Sequence, residues 1–466
     1  MDRADTIAAI STPAGEGGVG IIRISGPDAL KAGQKVFAIK YPPKASSQPL
    51  KERHLHYGQL IGLARTVIDD GFMVYMKGPS TYTGSDVVEL YLHGSPIVLK
   101  KALESVLRSG ARLAGPGEFT RQAFLSGRMD LAQAEAVNDI IRAETEAALL
   151  SARGRLEGRF SKRVNGIRDT LLGCLAHIEA ELDFAEDGVP GQKGEEIAGR
   201  LHNAAFALKK MLSTYEEGRA LREGVRVLIL GRPNAGKSSI LNILLQEERA
   251  IVTPHPGTTR DVIEEAVNIR GVPVRLMDTA GLRETSDFIE ALGVKHATER
   301  IKTAGIILFV IDASCKDFTE DQRLLQAAGD KKVVVAANKA DLIDAKGHAP
   351  VKEAFNGYRI VFISALKDEG IEELKDAVYE EATGRAPGIV PPSGHAELAA
   401  SLRHKDALQS SLEGIERACD SVAKREEREF TASEIRWSLN RLSEITGEVT
   451  TEDILDRIFN EFCIGK

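Results

Sequence analysis

The stretch "GRPNAGKSS", residues Gly231–Ser239, decides how the middle of this chain is interpreted. It fits the pattern G-x-x-x-x-G-K-[ST] and directly follows the apolar run "VRVLIL". The glycines let backbone N–H groups turn inward at a helix N-terminus and surround phosphates. Lys237 brings positive charge to the β- and γ-phosphates, and the Ser238 hydroxyl can ligate Mg²⁺. We therefore expect nucleotide contacts from Asn234, Ala235, Gly236, Lys237, Ser238 and Ser239.

Two motifs further along the chain extend the predicted phosphate site. "TPHPGTTRD" (Thr253–Asp261) supplies hydroxyls that can reach Mg²⁺. "DTAG" (Asp278–Gly281) follows a strand-like run, which places Asp278 to hold Mg²⁺ through water and the Gly281 N–H to reach a γ-phosphate. The nucleotide contacts expected here are Thr253, Pro254, His255, Pro256, Gly257, Thr258, Thr259, Asp278, Thr279, Ala280 and Gly281.

Two more motifs identify the base as guanine. "NKAD" also follows a strand-like run, and its Asp341 carboxylate can accept two donors from a guanine edge, a pattern that adenine cannot supply. "SAL" is the usual backbone loop at the base. Together they predict contacts from Asn338, Lys339, Asp341, Ser364, Ala365 and Leu366. Because all five motifs occur in this order, each at a strand end, the sequence predicts a GTPase.

Leu282, directly after "DTAG", changes the expected mechanism. Ras-like enzymes have a Gln there that orients the attacking water, whereas Leu can neither donate nor accept a hydrogen bond. Glu290, in the following acidic segment, could orient water instead. The alternative for Glu290 is a solvated carboxylate at a helix start.

The pattern of apolar residues along the chain predicts a multidomain protein that combines α+β, all-α and α/β parts. Residues 1–127 mix strand-like runs with Gly-rich turns and predict an α+β domain. Residues 128–222 and 385–466 have helical periodicity and predict a discontinuous helical domain. Residues 223–384 alternate short apolar strands with helical patterns, which is typical of a mainly parallel sheet with crossover helices. The chain therefore predicts a Ras-like P-loop GTPase domain inserted into a helical domain.

Bulk composition limits the other classes of protein. The net charge is −7, so a uniformly basic surface for nucleic acid is absent. The four cysteines are far apart in sequence, which argues against a disulfide framework and fits a reducing compartment. We find no apolar run of membrane-spanning length and no basic-then-apolar N-terminal signal, so we expect a cytoplasmic protein with no membrane partner.

Several stretches together resemble one family over essentially the whole length. They are "GRPNAGKSSILN", "IVTPHPGTTRDV", "DTAGLRET", "PGEFTRQAFLSGRMDLAQAEAV" and the terminal "EITGEVTTEDILDRIFNEFCIGK". The chain resembles the MnmE (TrmE) family of GTPases, which modify the wobble uridine of certain tRNAs. The resemblance implies an N-terminal domain that dimerises and binds a folate, a helical domain and an inserted G domain. It also implies hydrolysis that needs K⁺ and face-to-face dimerisation of the G domains.

The resemblance assigns the metal ligands and the water-orienting residue. Ser238 and Thr259 match Mg²⁺ ligands, and Glu290 matches the family's water-orienting Glu. The positions that match K⁺ ligands are Asn234, Thr253, His255 and Thr258. His255 departs from the family in its side chain only, which costs nothing if its backbone carbonyl is the ligand.

The resemblance also assigns a folate site for 5-formyl- or 5,10-methylene-tetrahydrofolate. Its matching positions are Arg23, Glu89, Arg128 and the terminal Lys466. From the residues alone, Arg23 and Glu89 are also compatible with ordinary exposed strand charges. The run "EDILDRIFNEF" predicts a helix whose apolar face packs inward and delivers the tail to this site. Cys463 then lies near the one-carbon chemistry, either as a nucleophile or as a small packing residue.

The implied function is a GTP hydrolase of tRNA modification. With an FAD-dependent partner (MnmG, also called GidA) it would form a heterotetramer or larger complex and install an aminomethyl or carboxymethylaminomethyl group at carbon 5 of uridine 34. The implied partners are a second copy of the chain, the flavoprotein and tRNA. Two alternatives stay open: a regulatory or ribosome-assembly GTPase switch without modification chemistry, and a folate-dependent one-carbon transferase that uses GTP only for gating.

Overall fold

The protein is described from a computed structural model. It describes residues 5–40, 50–62, 65–183, 194–247, 264–277, 300–344, 346–388, 398–424 and 427–466. The chain divides into two compact units. The first comprises Met1–Asn138 together with Thr446–Lys466, and the second comprises Asp139–Ile445. This division into two units does not test the predicted boundaries of three domains, which stay a prediction.

The first unit is built on a seven-stranded sheet within its described residues, with strand order β3-β4-β5-β6-β2-β1-β7. Neighbouring strands are antiparallel except for β1 and β7, which are parallel. Alternation determines the two faces, because successive side chains of a strand point to opposite sides. The strands are β1 (Ile7–Ile10), β2 (Gly17–Ser25), β3 (Phe37–Ile39), β4 (His56–Ile61), β5 (Val67–Met76), β6 (Val87–Gly94) and β7 (Arg112–Leu113).

One face of this sheet is covered by two helices, Ala29–Val36 and Pro96–Arg108. Ile22, Ile24, Val88 and Leu90 point to that face and pack in one apolar cluster with buried residues of the helices. Arg23 lies between Ile22 and Ile24 on β2, so its side chain is on the opposite face. The helices of this unit are α1 (Ala29–Val36), α2 (Pro96–Arg108), α3 (Glu118–Leu125) and, near the C-terminus, α15 (Glu452–Phe459). Two further helices, α4 (Leu131–Arg142) and α14 (Arg428–Thr446), have residues in both units.

The second unit contains a six-stranded sheet within its described residues, in the order β13-β12-β11-β8-β10-β9. All neighbours are parallel except the β9–β10 hairpin. Apolar clusters cover both faces of the sheet, which is why a strand such as "IILFVID" is a continuous apolar run. The strands are β8 (Val225–Gly231), β9 (Glu264–Ile269), β10 (Val272–Met277), β11 (Ile306–Asp312), β12 (Lys332–Asn338) and β13 (Arg359–Phe362).

The helices of the second unit belong partly to this sheet and partly to a helical bundle. A short 3-10 turn, Ala340–Leu342, follows β12. Beyond α4 and α14, the helices in the described part of this unit are α5 (Glu146–Leu156), α6 (Arg159–Asp183), α7 (Gly194–Leu212), α8 (Tyr215–Glu223), α9 (Lys237–Glu247), α10 (Thr319–Gln326), α11 (His348–Ala354), α12 (Ile371–Thr383) and α13 (Leu402–Lys424). The predicted combination of an α+β part, a helical part and a mainly parallel α/β part is confirmed. Of the helices in the described ranges, none has the length and apolar character needed to cross a bilayer.

Candidate functional site

A cleft opens where strands of the parallel sheet end at their carboxyl edge. Its volume is about 540 Å³. Parallel sheets bind ligands at this edge because their loops converge there. The lining residues come from the predicted phosphate loop and the two predicted base loops, and they are Asn234, Gly236, Lys237, Ser238, Ser239, Asn338, Lys339, Asp341, Leu342, Ser364, Ala365 and Leu366.

The phosphate loop has the backbone shape that its sequence requires. Asn234 and Gly236 both have positive φ, at 61° and 100°. A Cβ on Gly236 would come within 2.0 Å of the Asn338 Nδ2 atom, so glycine is required at this position. The Lys237 ammonium donates to the carbonyls of Gly231 and Arg232, each at 2.8 Å, at the start of helix α9. The loop therefore presents a cation and a helix N-terminus to the cleft, the combination that binds phosphate.

Asn338 connects the phosphate loop to the base loop. Its amide nitrogen donates to the Ala235 carbonyl at 2.8 Å, and its side-chain oxygen accepts from the Ala365 N–H at 3.0 Å. The side chain is buried, with 3% of its residue surface exposed. A single amide thus fixes the spacing between the loops expected to hold the two ends of the nucleotide.

Lys339 is held beside the base loop by an acidic partner. Its ammonium lies 2.5 Å from a carboxylate oxygen of Asp312, at the end of β11. Burial raises the pKa of Asp312, but hydrogen bonds from Lys339 and Ser314 outweigh burial and leave that pKa below its usual value. Asp312 is therefore a charged partner of Lys339 at neutral pH.

A second group of polar side chains lies on the face of the first sheet opposite α1 and α2, where Phe119 of α3 also packs. Arg23 and Glu89 are directly opposite each other on β2 and β6, and the Arg23 Nε donates to the Glu89 carboxylate at 2.9 Å. The Tyr91 hydroxyl donates to the other carboxylate oxygen at 2.7 Å. Burial and this hydrogen bond raise the pKa of Tyr91 to about 12. The Arg23 guanidinium also lies 5.8 Å from the ring centre of Tyr82.

The C-terminal helix holds the tail in the first unit, as its apolar pattern predicts. Leu455, Phe459 and Phe462 pack in one cluster with Leu131. Arg121 of α3 forms ion pairs with Glu452 and, at 3.0 Å, with Asp456. Apolar packing and charge together fix the helix that leads to the last residues.

The tail itself is bound to the first sheet and to α3. The Ser11 hydroxyl donates to the Gly465 carbonyl at 3.2 Å, and the Phe119 N–H donates to the Lys466 carbonyl at 3.1 Å. The side chain of Lys466 is partly buried. Burial and the positive charge of Arg23 lower the pKa of Lys466, and Glu89 and Cys463 partly oppose that shift. The structure thus brings Arg23, Glu89 and Lys466 together, with an exposed Cys463 beside them.

Comparisons with known proteins match one family over nearly the whole chain. The family model "GTP-binding protein TrmE N-terminus" matches residues 6–128, and "MnmE helical domain" matches residues 131–463. The chain is 43% identical over 463 residues to a "tRNA modification GTPase MnmE" of Aquifex aeolicus (strain VF5), covering 99% of this chain and 100% of that protein. Proteins of the same name from Alkaliphilus oremlandii (strain OhILAs) and Syntrophus aciditrophicus (strain SB) are 43% and 44% identical, and the match covers 99% of both chains in each case.

The chain belongs to the MnmE family. It is a GTP hydrolase that takes part in tRNA modification, with tRNA as its substrate. The resemblance seen in the sequence is confirmed. Membership of the MnmE family also decides against the interpretation as a switch with no part in modification.

Part of the predicted nucleotide and metal site lies outside the described residues. The expected residues in that part are Thr253, Pro254, His255, Pro256, Gly257, Thr258, Thr259, Asp278, Thr279, Ala280, Gly281 and Glu290. Among the folate candidates, Arg128 is exposed beside the turn at Gly84. Within the described residues, no hydrogen bond or ion pair that we find joins Arg128 to the Arg23–Glu89 pair.

The structure places several further residues beside these two groups that the sequence did not single out. Asp312 lies at the end of an apolar strand, a position that could have marked it as a partner of the base loop. Arg232 of the phosphate loop forms an ion pair with Glu320 of α10 at 2.8 Å. Tyr82 and Tyr91 frame the Arg23–Glu89 pair, and alternation along β6 could have placed Tyr91 on the same face as Glu89.

Proposed function

We propose that this chain is a K⁺-dependent GTPase that acts in the cytoplasm with an FAD-dependent partner, MnmG/GidA. Together they install an aminomethyl or carboxymethylaminomethyl group at carbon 5 of the wobble uridine, U34, of certain tRNAs. The one-carbon unit comes from 5-formyl- or 5,10-methylene-tetrahydrofolate. The observation that carries the proposal is the tail, which brings Lys466 and Cys463 to the Arg23–Glu89 pair on the N-terminal sheet.

The nucleotide cleft fits a magnesium nucleotide. Ser238 lines it next to Lys237 at a helix N-terminus, and a hydroxyl at this position is a suitable Mg²⁺ ligand. Thr259 would be the second protein ligand. Bound Mg²⁺ neutralises charge on the phosphates during hydrolysis.

Potassium is assigned to the side of the phosphate loop that carries Asn234. This residue lines the cleft in the left-handed conformation, with φ of 61°, and its amide oxygen is a ligand of the kind that hard cations prefer. Thr253, His255 and Thr258 would complete the site. Bound K⁺ supplies positive charge where other GTPases insert an arginine. Glu290 would orient the attacking water, because Leu282 cannot.

The folate site is assigned to the Arg23–Glu89 pair and Lys466. A carboxylate that already accepts from a guanidinium and a phenol can accept from the amino-pyrimidine edge of a pterin. Arg23 and Lys466 place positive charge beside this carboxylate. Arg128 would contribute from the turn at Gly84. Bound folate would supply the one-carbon unit, and Arg23, Glu89 and Lys466 would hold it.

Cys463 is assigned to chemistry rather than to packing. Its side chain is exposed, while its neighbour Phe462 is buried in the cluster that holds the tail. A packing role would require a buried Cys463. A thiolate at this position is suited to add to carbon 6 of uracil, which activates carbon 5 for bond formation.

Two copies of the chain are proposed to associate through the open face of the first sheet, meaning the exposed part of the Arg23 face near β4 and β5. That face holds a cleft of about 600 Å³ lined by apolar side chains, among them Val19, Tyr57 and Phe72. Val19 is 58% exposed and Phe72 is 41% exposed. Exposed apolar surface of this kind marks interaction sites. Tyr91 lines the cleft and bonds to Glu89, so this face is continuous with the folate site.

A folate titration tests the assignment of Arg23. 5-Formyl-tetrahydrofolate should saturate the wild-type chain at one molecule per chain. Arg23→Ala should weaken binding by at least about tenfold, because it removes a charged hydrogen-bond donor and leaves Glu89 unpaired. Arg108→Ala, an exposed arginine at the end of α2, is the matched control and should bind as wild type does. Equal affinities of the wild type and Arg23→Ala would remove Arg23 from the site.

Replacing sodium by potassium tests the metal assignment. GTP turnover by the wild type should increase at least about tenfold in K⁺, because the ion adds positive charge at the transition state. Asn234→Ala should lose this dependence. Equal turnover of the wild type in both salts would remove the K⁺ site from the proposal.

A further inference from the structure

A contact within the second unit joins the β9–β10 hairpin to the corner between α4 and α5. The Thr145 hydroxyl donates to the Gly271 carbonyl at the hairpin turn, with an O–O distance of 2.6 Å. The same oxygen accepts from the Ala148 N–H at 3.2 Å and so caps the N-terminus of α5. Thr145 is 7% exposed. One buried hydroxyl therefore holds both the hairpin turn and the start of a helix.

Packing at this contact leaves no space between the two elements. Gly271 has φ of 90°, and a Cβ there would lie 2.8 Å from the Cβ of Ala147. Ala147 itself packs against the apolar cluster on one face of the parallel sheet. A displacement of the hairpin turn would therefore push directly on the first turn of α5, since packed interiors do not compress.

An ion pair strengthens the contact one step along the hairpin. Arg275 of β10 donates to the Glu144 carboxylate at 3.1 Å. The turn is also held to its own domain, because Arg270 forms ion pairs with Glu372 and Asp376 of α12, each at 2.7 Å. The hairpin turn is thus bound on one side to the G domain and on the other to the helical part.

The contact is separate from the places where the chain enters and leaves the G domain. Entry is through α8, where Glu217 forms an ion pair with Arg385 of the exit segment at 2.9 Å. Gly218 of α8 approaches the Ala399 backbone so closely that a Cβ would lie 2.3 Å from its carbonyl oxygen. The hairpin contact therefore adds a second attachment that the covalent connection does not require.

The position of the hairpin in the sequence suggests what this attachment does. β9 begins directly after the segment that carries Thr258 and Thr259, and β10 ends directly before Asp278. These residues lie outside the described ranges, and their contact with phosphate and metal belongs to the proposed function, on which this inference rests. A paired hairpin is stiff, so a shift at its strand ends reaches its turn.

We propose that the Thr145–Gly271 and Glu144–Arg275 contacts transmit the nucleotide state of the G domain to the helical part of the protein. The four residues of these contacts act as positioning residues and bind neither nucleotide nor tRNA. Their role is to couple GTP hydrolysis to tRNA modification, with the β9–β10 hairpin as the moving element.

Charge exchange across the contact tests this coupling. Arg275→Glu should lower tRNA modification by about tenfold or more, within the range of allosteric coupling, while GTP turnover stays within about twofold of wild type. The double variant Glu144→Arg/Arg275→Glu restores an opposite-charge pair and should recover modification to within about threefold. Wild-type modification by Arg275→Glu, or no recovery in the double variant, would overturn the proposal.

Hydrogen exchange distinguishes coupling from a purely structural contact. Exchange at the amides of residues 146–150 should differ at least about threefold between the GDP and GDP–aluminium fluoride states of the full chain. Thr145→Ser keeps the hydroxyl and should retain this difference, whereas Thr145→Val should abolish it. Absence of the difference in the wild type would refute the coupling. Failure of the folate proposal would look different, because the exchange difference would persist while the wild type modified no tRNA.

Discussion

The amide of Asn338 gives the sharpest prediction for nucleotide binding. Its two hydrogen bonds, to the Ala235 carbonyl at 2.8 Å and from the Ala365 N–H at 3.0 Å, connect the phosphate loop to the base loop. Asn338→Ala removes both bonds and creates no new charge. The two loops then lose the group that fixes their spacing, so affinity for the nucleotide should fall more than the stability of the sheet.

The size of the effect follows from burial at the two ends of the amide. Ala235 is buried, so its carbonyl loses a partner without access to water, at a cost of about 1–3 kcal/mol. Ala365 is only partly buried, and its N–H adds about 1 kcal/mol. The sum of about 2–4 kcal/mol corresponds to about 30- to 1,000-fold weaker binding of GDP.

Fluorescence titration with a labelled GDP measures this loss directly. Asn268→Ala is a matched control, because the Asn268 side chain also accepts from a backbone N–H, that of Gly271, at a turn away from the cleft. The control should bind GDP within about twofold of wild type. An Asn338→Ala variant that is folded and binds GDP within threefold of wild type would show that the amide does not organise the site.

Further predictions concern the water-orienting residue, the tail and the open sheet face. Glu290→Ala should bind GTP normally and hydrolyse it at least about 100-fold more slowly in single-turnover assays, because no group then orients the water; normal turnover would exclude this role. Cys463→Ser should keep GTPase activity and lose tRNA modification, and a fully active variant would return Cys463 to packing. The pKa of Lys466 in the folded protein is lowered from 10.5. Between the folded and the unfolded pKa the unfolded chain binds more protons, so the free energy of unfolding increases as pH rises toward 10.5. Urea unfolding of Lys466→Met should lack this part of the increase, and a pH profile like that of the wild type would contradict it. Phe72→Asp should shift the chain to a monomer in analytical ultracentrifugation, since it places a charge on the exposed apolar face; an unchanged dimer would locate the interface elsewhere.

The parallel sheet and its phosphate loop are predictable from sequence because their signals are local. A strand such as β11 is a continuous apolar run because both of its faces are covered, and "GRPNAGKSS" carries its function in adjacent residues. The inward face of α15 is also predictable, because helical spacing puts Leu455 and Phe459 on one side.

Contacts between distant residues are not predictable in the same way. The Arg23–Glu89 pair depends on the register between β2 and β6, and a one-residue slip would move Glu89 to the other face. The Asn338 link to Ala235 depends on two loops that meet only when the sheet forms. Thr145 caps α5 through a local contact with Ala148, whereas its second partner, Gly271, is 126 residues away and meets it only in the fold. The roles of Thr259, Asp278 and Glu290 remain predictions from their motifs.

Nucleoside analysis of tRNA tests the central claim most directly. Unmodified tRNA would be incubated with this protein, the flavoprotein, GTP, K⁺ and 5,10-methylene-tetrahydrofolate, with glycine or ammonium as the amine source. We predict a new group at carbon 5 of the wobble uridine that disappears when GTP, K⁺ or folate is omitted and when Arg23→Ala replaces the wild type. Full GTP hydrolysis with an unmodified wobble uridine, or modification that persists without folate, would contradict the account.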